Sequence, residues 1–389
     1  MFTSKIVNSF KEDSTPFYYY DLNLLRATLE EVKKHGISKG YHIHYAFKAN
    51  HQPRILDEIR KAGLHADCVS GGEVQRALDC NFNPNQIAFA GVGKRDSEIK
   101  LGLENDIFCF NVESGQELRV INDLAAKMDT VAKIALRLNP NVNAKTHHYI
   151  TTGLKENKFG INGLDLEQIL VDLPTLHHVK VIGIHFHIGS QIQELKPFQE
   201  LCDRANHLND LFEEKGFNLE VINVGGGFGI DYTNPDSNSI PDFESYFNLF
   251  EKYIKLKPHQ SLHFELGRSI VGQCGSLITQ VLFTKTGLEK TFAVVDAGMT
   301  ELIRPALYQA IHNIDVLTST LPTKKYDVVG PICESSDTFR KDLELAEVER
   351  GDLLAIRSAG AYGEVMKSQY NLRQGIHAVF SDDLLDTES

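Results

Sequence analysis

The chain has 389 residues, long enough for a large buried core and for two domains. Its 42% hydrophobic and 24% charged residues are those of a soluble globular protein, and a net charge of −12 argues against nucleic acid or an anionic membrane surface as a partner. Met1 to Thr15 is polar with no apolar signal segment, nothing approaches the ~18 apolar residues of a membrane span, and the six cysteines show no paired spacing, which points to free thiols in a reducing cytoplasm.

In chain order, Thr15 to Tyr20 reads as a short strand followed by a helix N-cap at Asp21. An amphipathic helix is predicted over Leu22–Lys39, with apolar Leu22, Leu25, Leu29 and Val32 on one face. Eight candidate strands follow: Ile43–Lys48, His65–Ser70, Ile87–Phe89, Ile107–Asn111, Ala132–Leu138, Val179–His187, Leu219–Val224 and Ser261–Glu265. Helical patterns separate most of them, among them Gly72–Asp79, Asp96–Leu103, Glu117–Lys127, Leu166–Leu173, Leu195–Lys215 and Phe243–Ile254. That alternation predicts a (β/α)8 TIM barrel over residues 22–269. Beyond Arg268 helical periodicity fades. Short β-like runs at Leu277–Phe283, Phe292–Val295, Tyr326–Val329, Leu353–Ile356 and His377–Phe380 predict a β-rich, sandwich- or barrel-like domain of residues 270–389, joined by residues 1–21. No flexible linker separates the two, so tight docking is expected.

Reactive groups of such barrels gather at the C-terminal strand ends. The first strand ends at Lys48 in Tyr45-Ala46-Phe47-Lys48-Ala49-Asn50. The second strand ends in Asp67-Cys68-Val69-Ser70-Gly71-Gly72-Glu73, Arg137 ends the fifth, and His185-Phe186-His187-Ile188-Gly189-Ser190 ends the sixth. The seventh runs into Gly225-Gly226-Gly227 and the eighth into Glu265-Leu266-Gly267-Arg268. A strand-end lysine either snorkels to solvent or uses its amine to condense with a carbonyl cofactor. A triple glycine is a flexible turn or a phosphate cradle of backbone N–H groups, with Ser190 and Arg268 as further donors. Glu265 suits a proton on a heterocyclic nitrogen, and His187 a ring face. The pair His185/His187 standing alone reads first as satisfied core histidines, with metal ligation as a second alternative for which the neighbouring strand ends offer no obvious further ligands.

These four motifs together resemble the pyridoxal-phosphate motifs of the fold-type III decarboxylases. In the second domain, Asp296-Ala297-Gly298, Arg304-Pro305-Ala306-Leu307-Tyr308, Gly330-Pro331-Ile332-Cys333-Glu334-Ser335 and Gly360-Ala361-Tyr362-Gly363 resemble the members that act on meso-diaminopimelate. The resemblance implies pyridoxal 5'-phosphate as cofactor and Lys48 as its covalent anchor. His187, Ser190, Gly226, Gly227, Glu265, Gly267, Arg268 and Tyr362 would hold it, with Asp67, Glu73 and Arg137 around its ring. Cys333, from the other subunit of a homodimer with shared active sites, would return the proton. Arg268, Arg304, Tyr308, Glu334 and Tyr362 would bind the substrate. Leu266 and Ala297 depart from the family's usual proline and glycine.

The implied reaction is decarboxylation of meso-2,6-diaminopimelate to L-lysine, the last step of lysine biosynthesis. Its distal carboxylate needs a cation, for which Arg304 offers a bidentate fork, and Glu334 can accept the distal ammonium. The rival readings are a decarboxylase for ornithine or arginine, an amino-acid racemase, a metal-dependent barrel hydrolase using His185 and His187, and a non-catalytic cofactor binder.

Overall fold

The computed structural model describes residues 2–140 and 158–385. The chain divides into two compact units. One comprises Leu29–Gly229 and Asp242–Gly267, the other Met1–Thr28, Ile230–Pro241 and Arg268–Ser389.

Strand β1 (Phe17–Tyr20) belongs to the second of these. The next eight are β2 (His42–Ala46), β3 (His65–Cys68), β4 (Ile87–Phe89), β5 (Cys109–Val112), β6 (Ala132–Arg137), β7 (Val179–His185), β8 (Val221–Asn223) and β9 (Ser261–Leu266). They form the expected closed barrel, each parallel to the next, and β9 returns to β2 with Glu265 opposite His44. Their apolar runs are buried on both faces, as a parallel sheet covered by helices requires. Two of the strand-to-helix corners use one device. Ser70 caps the helix Gly71–Asp79 and Ser114 caps Gly115–Lys127, each accepting from the N–H three residues on. Glu73 and Glu117 then reach back to the backbone N–H groups of Val69 and Glu113 at 2.8 and 2.7 Å.

Several expected strands stop short. Strand β2 ends at Ala46, and Lys48 sits on a 3-10 turn, Phe47–Ala49, rather than at the strand tip. The Tyr45 hydroxyl donates to the Asn50 carbonyl (2.8 Å) and the Gln52 N–H to the Asn50 side chain (2.9 Å), which pins this turn. Strand β7 ends at His185, leaving His187 on the loop beyond it. The helix expected to reach Lys39 stops at His35, where Gly36 breaks it, and Ile37–Lys39 is 3-10.

The second unit is β-rich, as expected. Its strands are β1, β10 (Gly275–Thr286), β11 (Thr291–Val295), β12 (Ile314–Val316), β13 (Thr323–Val329), β14 (Thr338–Ala346), β15 (Leu353–Ile356) and β16 (Ala378–Phe380). The order is β12-β15-β10-β11-β13-β14, with β1 antiparallel to β10 and parallel to β16. Two strands escape the sequence reading. Strand β12 is only three residues long, and the positive φ of Asp342 interrupts the alternation of β14. The helix Ser4–Glu12 also escapes it, because only Val7 and Phe10 bury in an otherwise polar stretch. Phe10 joins Phe17, Tyr19, Ile278, Leu353, Ala355 and Val379 in one apolar cluster. Among the described residues no helix is long and apolar enough to cross a membrane, and all six cysteines are unpaired.

Candidate active site

Glu265, on β9, is buried at 6% exposure. Its Oε1 accepts from Asn223 Nδ2 (2.8 Å) and Asn111 Nδ2 (3.1 Å), and its Oε2 from His185 Nε2 (2.9 Å). Burial alone would raise its affinity for a proton. The His185 contact and the Lys48 charge outweigh that and hold the carboxyl below the usual carboxylate range. His185 is thereby committed to Glu265 rather than turned toward a metal position.

Asp67, on β3, lies 3.8 Å from Lys48 Nζ, and neither of its oxygens has a hydrogen-bond partner among the described residues. Burial, then the Glu265 charge, pushes its carboxyl well up. A buried carboxyl left without donors beside an amine marks room for a ligand that brings its own polar atoms. His187 is held neutral, its ring pushed well below its usual pKa by burial and then by Lys48 and Arg137. Its Nδ1 accepts from the Gly226 N–H at 3.4 Å, which leaves Nε2 as the protonated nitrogen.

The glycine turn follows β8. Gly225 and Gly227 have φ of +68° and +104°, and a Cβ on Gly226 would sit 1.8 Å from the Glu265 carbonyl oxygen. The turn packs against the loop that carries Ser190. A Cβ on Gly227 would meet the Gly189 carbonyl at 2.5 Å, and the Ile192 N–H donates to the Gly227 carbonyl at 2.9 Å. These residues fit a phosphorylated ring aldehyde: a tight glycine turn against which a phosphate can lie, an anion for a ring nitrogen, and an amine for the carbonyl.

Arg137 and Glu73 stand one layer out. Arg137 pairs with Glu113 (2.5 Å), whose Oε2 takes the Gly160 N–H (2.9 Å), and burial raises the Glu73 carboxyl. Lys94, also buried, ties Glu117 (2.6 Å) to the carbonyls of Gly91 and Asn111 (both 2.8 Å). Asn111, Asn223, Glu113 and Lys94 were not singled out from sequence. For Asn111 and Asn223 the available signal was a polar residue inside an apolar strand, which costs several kcal/mol unless paired, whereas Glu113 and Lys94 lie just beyond strands and carried no such signal.

In the second unit, Arg268, Arg304, Tyr308 and Tyr362 gather around Tyr232, another residue the sequence reading passed over. The Arg268 guanidinium donates to the Tyr232 hydroxyl (2.5 Å) and lies 4.7 Å from the Tyr362 ring centre. Arg304 lies 5.5 and 5.8 Å from the Tyr232 and Tyr308 rings, and its Nε donates to His312 Nε2 (3.4 Å). Burial, then the Arg304 charge, pushes His312 down to about 3, so it accepts as a neutral ring. Arg304 is a buried cation that no carboxylate among the described residues neutralises. Cys333 and Glu334 stand apart, both exposed. The Cys333 N–H donates to Asn371 (3.1 Å), and the Tyr370 hydroxyl donates to Glu334 (2.8 Å).

A barrel with a lysine, an ionised glutamate and a glycine cradle at one end defines a pyridoxal-phosphate-binding barrel. Residues 23–272 match the family model described as the pyridoxal-binding domain of pyridoxal-dependent decarboxylases. The chain is 55% identical over 383 residues to diaminopimelate decarboxylase of Bacteroides thetaiotaomicron, covering 97% of this chain and 98% of that one. It is 41% identical over 362 residues to the enzyme of Aquifex aeolicus, covering 92% and 84%. The crystal structure of diaminopimelate decarboxylase from Helicobacter pylori complexed with L-lysine superposes with a TM-score of 0.90 at 39% identity, covering 97% of this chain and 94% of that one. The chain belongs to the diaminopimelate decarboxylases.

Proposed function

We propose that this protein decarboxylates meso-2,6-diaminopimelate to L-lysine and CO2 in the cytoplasm, using pyridoxal 5'-phosphate held at the C-terminal end of its barrel. The observation that carries the chemistry is the Glu265 carboxylate, buried yet kept ionised by three side-chain donors on the barrel end that also bears Lys48. When bound, the cofactor supplies a carbonyl for the substrate amine and an electron-withdrawing ring for the electron pair that CO2 leaves behind. Lys48 presents its amine to that carbonyl. Glu265 keeps a proton on the ring nitrogen, a stronger partner than a racemase needs. The glycine turn and Ser190 would take the phosphate and His187 would lie against the ring, and the family resemblance would add Gly267, Arg268 and Tyr362 to the cofactor's partners. Asp67, Glu73 and Arg137 set the field around it.

Arg304 supports the substrate assignment. A buried guanidinium with no carboxylate partner among the described residues suits the distal carboxylate that separates diaminopimelate from ornithine. Arg268, Tyr308, Tyr362 and Glu334 complete that set. Cys333, which the family places in the partner's site, is exposed here, in keeping with a homodimer in which its thiol returns the proton to Cα. The test is incubation with meso-diaminopimelate, ornithine and arginine separately, measuring CO2 and identifying the product. Lysine from diaminopimelate alone is the expected result, and turnover of ornithine or arginine in preference to it would overturn the assignment.

A further inference from the structure

We propose that Asn223 is a positioning residue that ties the glycine turn to the Glu265 carboxylate, so that the phosphate cradle and the group facing the ring nitrogen keep one fixed spacing. The inference rests on the reading of Glu265 and the turn given above.

Asn223 is the last residue of β8 and is 2% exposed. The Gly225 N–H donates to its Oδ1 at 2.9 Å. An N–H can only donate, so the atom facing Gly225 is the oxygen and the amide nitrogen faces Glu265, to which it donates at 2.8 Å. One side chain thus bridges the turn and the carboxylate. A backbone bond runs beside it, from the Glu265 N–H to the Gly225 carbonyl at 2.8 Å. Asn111 and His185 also donate to Glu265, but no described contact joins either to the turn. Among the described residues, Asn223 is the side chain seen to hydrogen-bond both the turn and the carboxylate. A ligand anchored at its phosphate and at its ring nitrogen needs those ends held at a constant separation, because misplacement by about an ångström costs roughly a hundredfold in such sites.

The strut makes an unusual prediction for Asn223→Asp. Below the pKa of the new carboxyl pair, a protonated Asp side chain reproduces both bonds: its carbonyl oxygen accepts from Gly225 and its O–H donates to Glu265. Above that pKa, two carboxylates face each other at hydrogen-bond distance and repel. The other titratable groups acting on Glu265 are Lys48, Asp67, His185 and His187 around it and His44, His263 and Cys109 deeper in the barrel, and all are common to wild type and variant. Comparison of variant with wild type at each pH therefore isolates the new carboxyl.

The experiment titrates cofactor-stripped protein with pyridoxal 5'-phosphate at pH 6 and pH 8.5, reading Kd from the cofactor's absorbance. Asn223→Asp is expected within about threefold of wild type at pH 6 and at least tenfold weaker at pH 8.5. Asn223→Ala, which loses both bonds, is expected about tenfold or more weaker at both. Wild-type affinity for Asn223→Ala at both pH values, or an Asn223→Asp deficit that does not change with pH, overturns the strut. Failure of the wild-type protein itself to bind the cofactor would instead overturn the reading of the barrel site.

Discussion

Asp67 and Glu265 are two buried carboxyl groups acting on one another at the same end of the barrel, and only Glu265 is hydrogen-bonded. The difference separates their protonation, with Asp67 pushed up and Glu265 held down. Unfolded, Asp67 ionises freely above about pH 3.9. Folded, it resists ionisation, so its cost to the fold grows as pH rises from there toward its raised pKa. Asp67→Asn in the cofactor-free protein should therefore melt above wild type at pH 8, by about 1–2 kcal/mol or a few degrees, with the gain fading toward pH 4. Melting curves of the two proteins that coincide across that range would refute the asymmetry.

Glu265 is expected to matter for turnover far more than for folding. Glu265→Gln keeps the volume but removes the charge that holds a proton on the ring nitrogen. Decarboxylation should fall by roughly a thousandfold, equivalent to about 4 kcal/mol of barrier, while the circular dichroism spectrum stays that of wild type. Lys48→Ala should fall at least as far, since it removes the amine that anchors the cofactor. Near-wild-type CO2 release by either variant would remove the chemical basis of the assignment.

Arg304 tests the substrate separately from the chemistry. A charged hydrogen bond contributes about 1.5–3 kcal/mol, so Arg304→Ala should lower kcat/KM for diaminopimelate by roughly ten- to a hundredfold. Arg304→Lys should restore little, because an ammonium cannot reproduce the bidentate fork. Steady-state kinetics on both variants decide it, and an unchanged kcat/KM in Arg304→Ala would detach this residue from the substrate.

Much of this was legible from sequence because the signals were local. Strand and helix periods alternate cleanly from Ile43 to Glu265, and motifs such as Gly225-Gly226-Gly227 require backbone shapes that only their own residues permit. The bonding of Glu265 was not legible, because Asn111, His185 and Asn223 come from three strands that only barrel closure brings together. Tyr232 was missed for a similar reason. It lies in the segment Ile230–Pro241, which leaves the barrel and returns to it yet packs with the second unit. The turn at Lys48 was read as a strand tip because nothing in Phe47-Lys48-Ala49 disfavours extension, and the tertiary bonds of Asn50 decide its shape.

If active sites are shared across a dimer, two inactive variants should complement. Lys48→Ala and Cys333→Ala, unfolded together and refolded as an equal mixture, would place one intact pair of residues in each hybrid dimer. Random assortment makes half the dimers hybrid, each with one working site of two, so activity should return to about a quarter of wild type. A mixture as inactive as its components would place Lys48 and Cys333 of one active site in the same chain.

The opposite end of the barrel carries a second set of buried titratable groups. His42 and His44 of β2, His65 of β3 and His263 of β9 pack with ring centres 4.5 to 5.2 Å apart, and His42, His65 and His263 line a cavity of about 550 Å³. Their tautomers form a directed chain. The Ala66 carbonyl can only accept, so His44 Nδ1 (3.3 Å) donates to it. His44 Nε2 then accepts from His263 Nδ1 (2.9 Å), and His263 Nε2 accepts from the Ser261 hydroxyl (2.9 Å). Burial lowers all four, His44 to about 4 and His65 to about 3. The unfolded chain binds protons here below about pH 6.5, whereas the folded barrel does not until far lower. Stability should therefore be lost as pH falls through 6.5, by about 2 kcal/mol at pH 5 for each fully depressed imidazole. His65→Phe preserves the packing and removes one of these protons. Its urea midpoint should fall less than that of wild type between pH 7 and pH 5, and parallel losses in the two proteins would show that His65 does not titrate with unfolding.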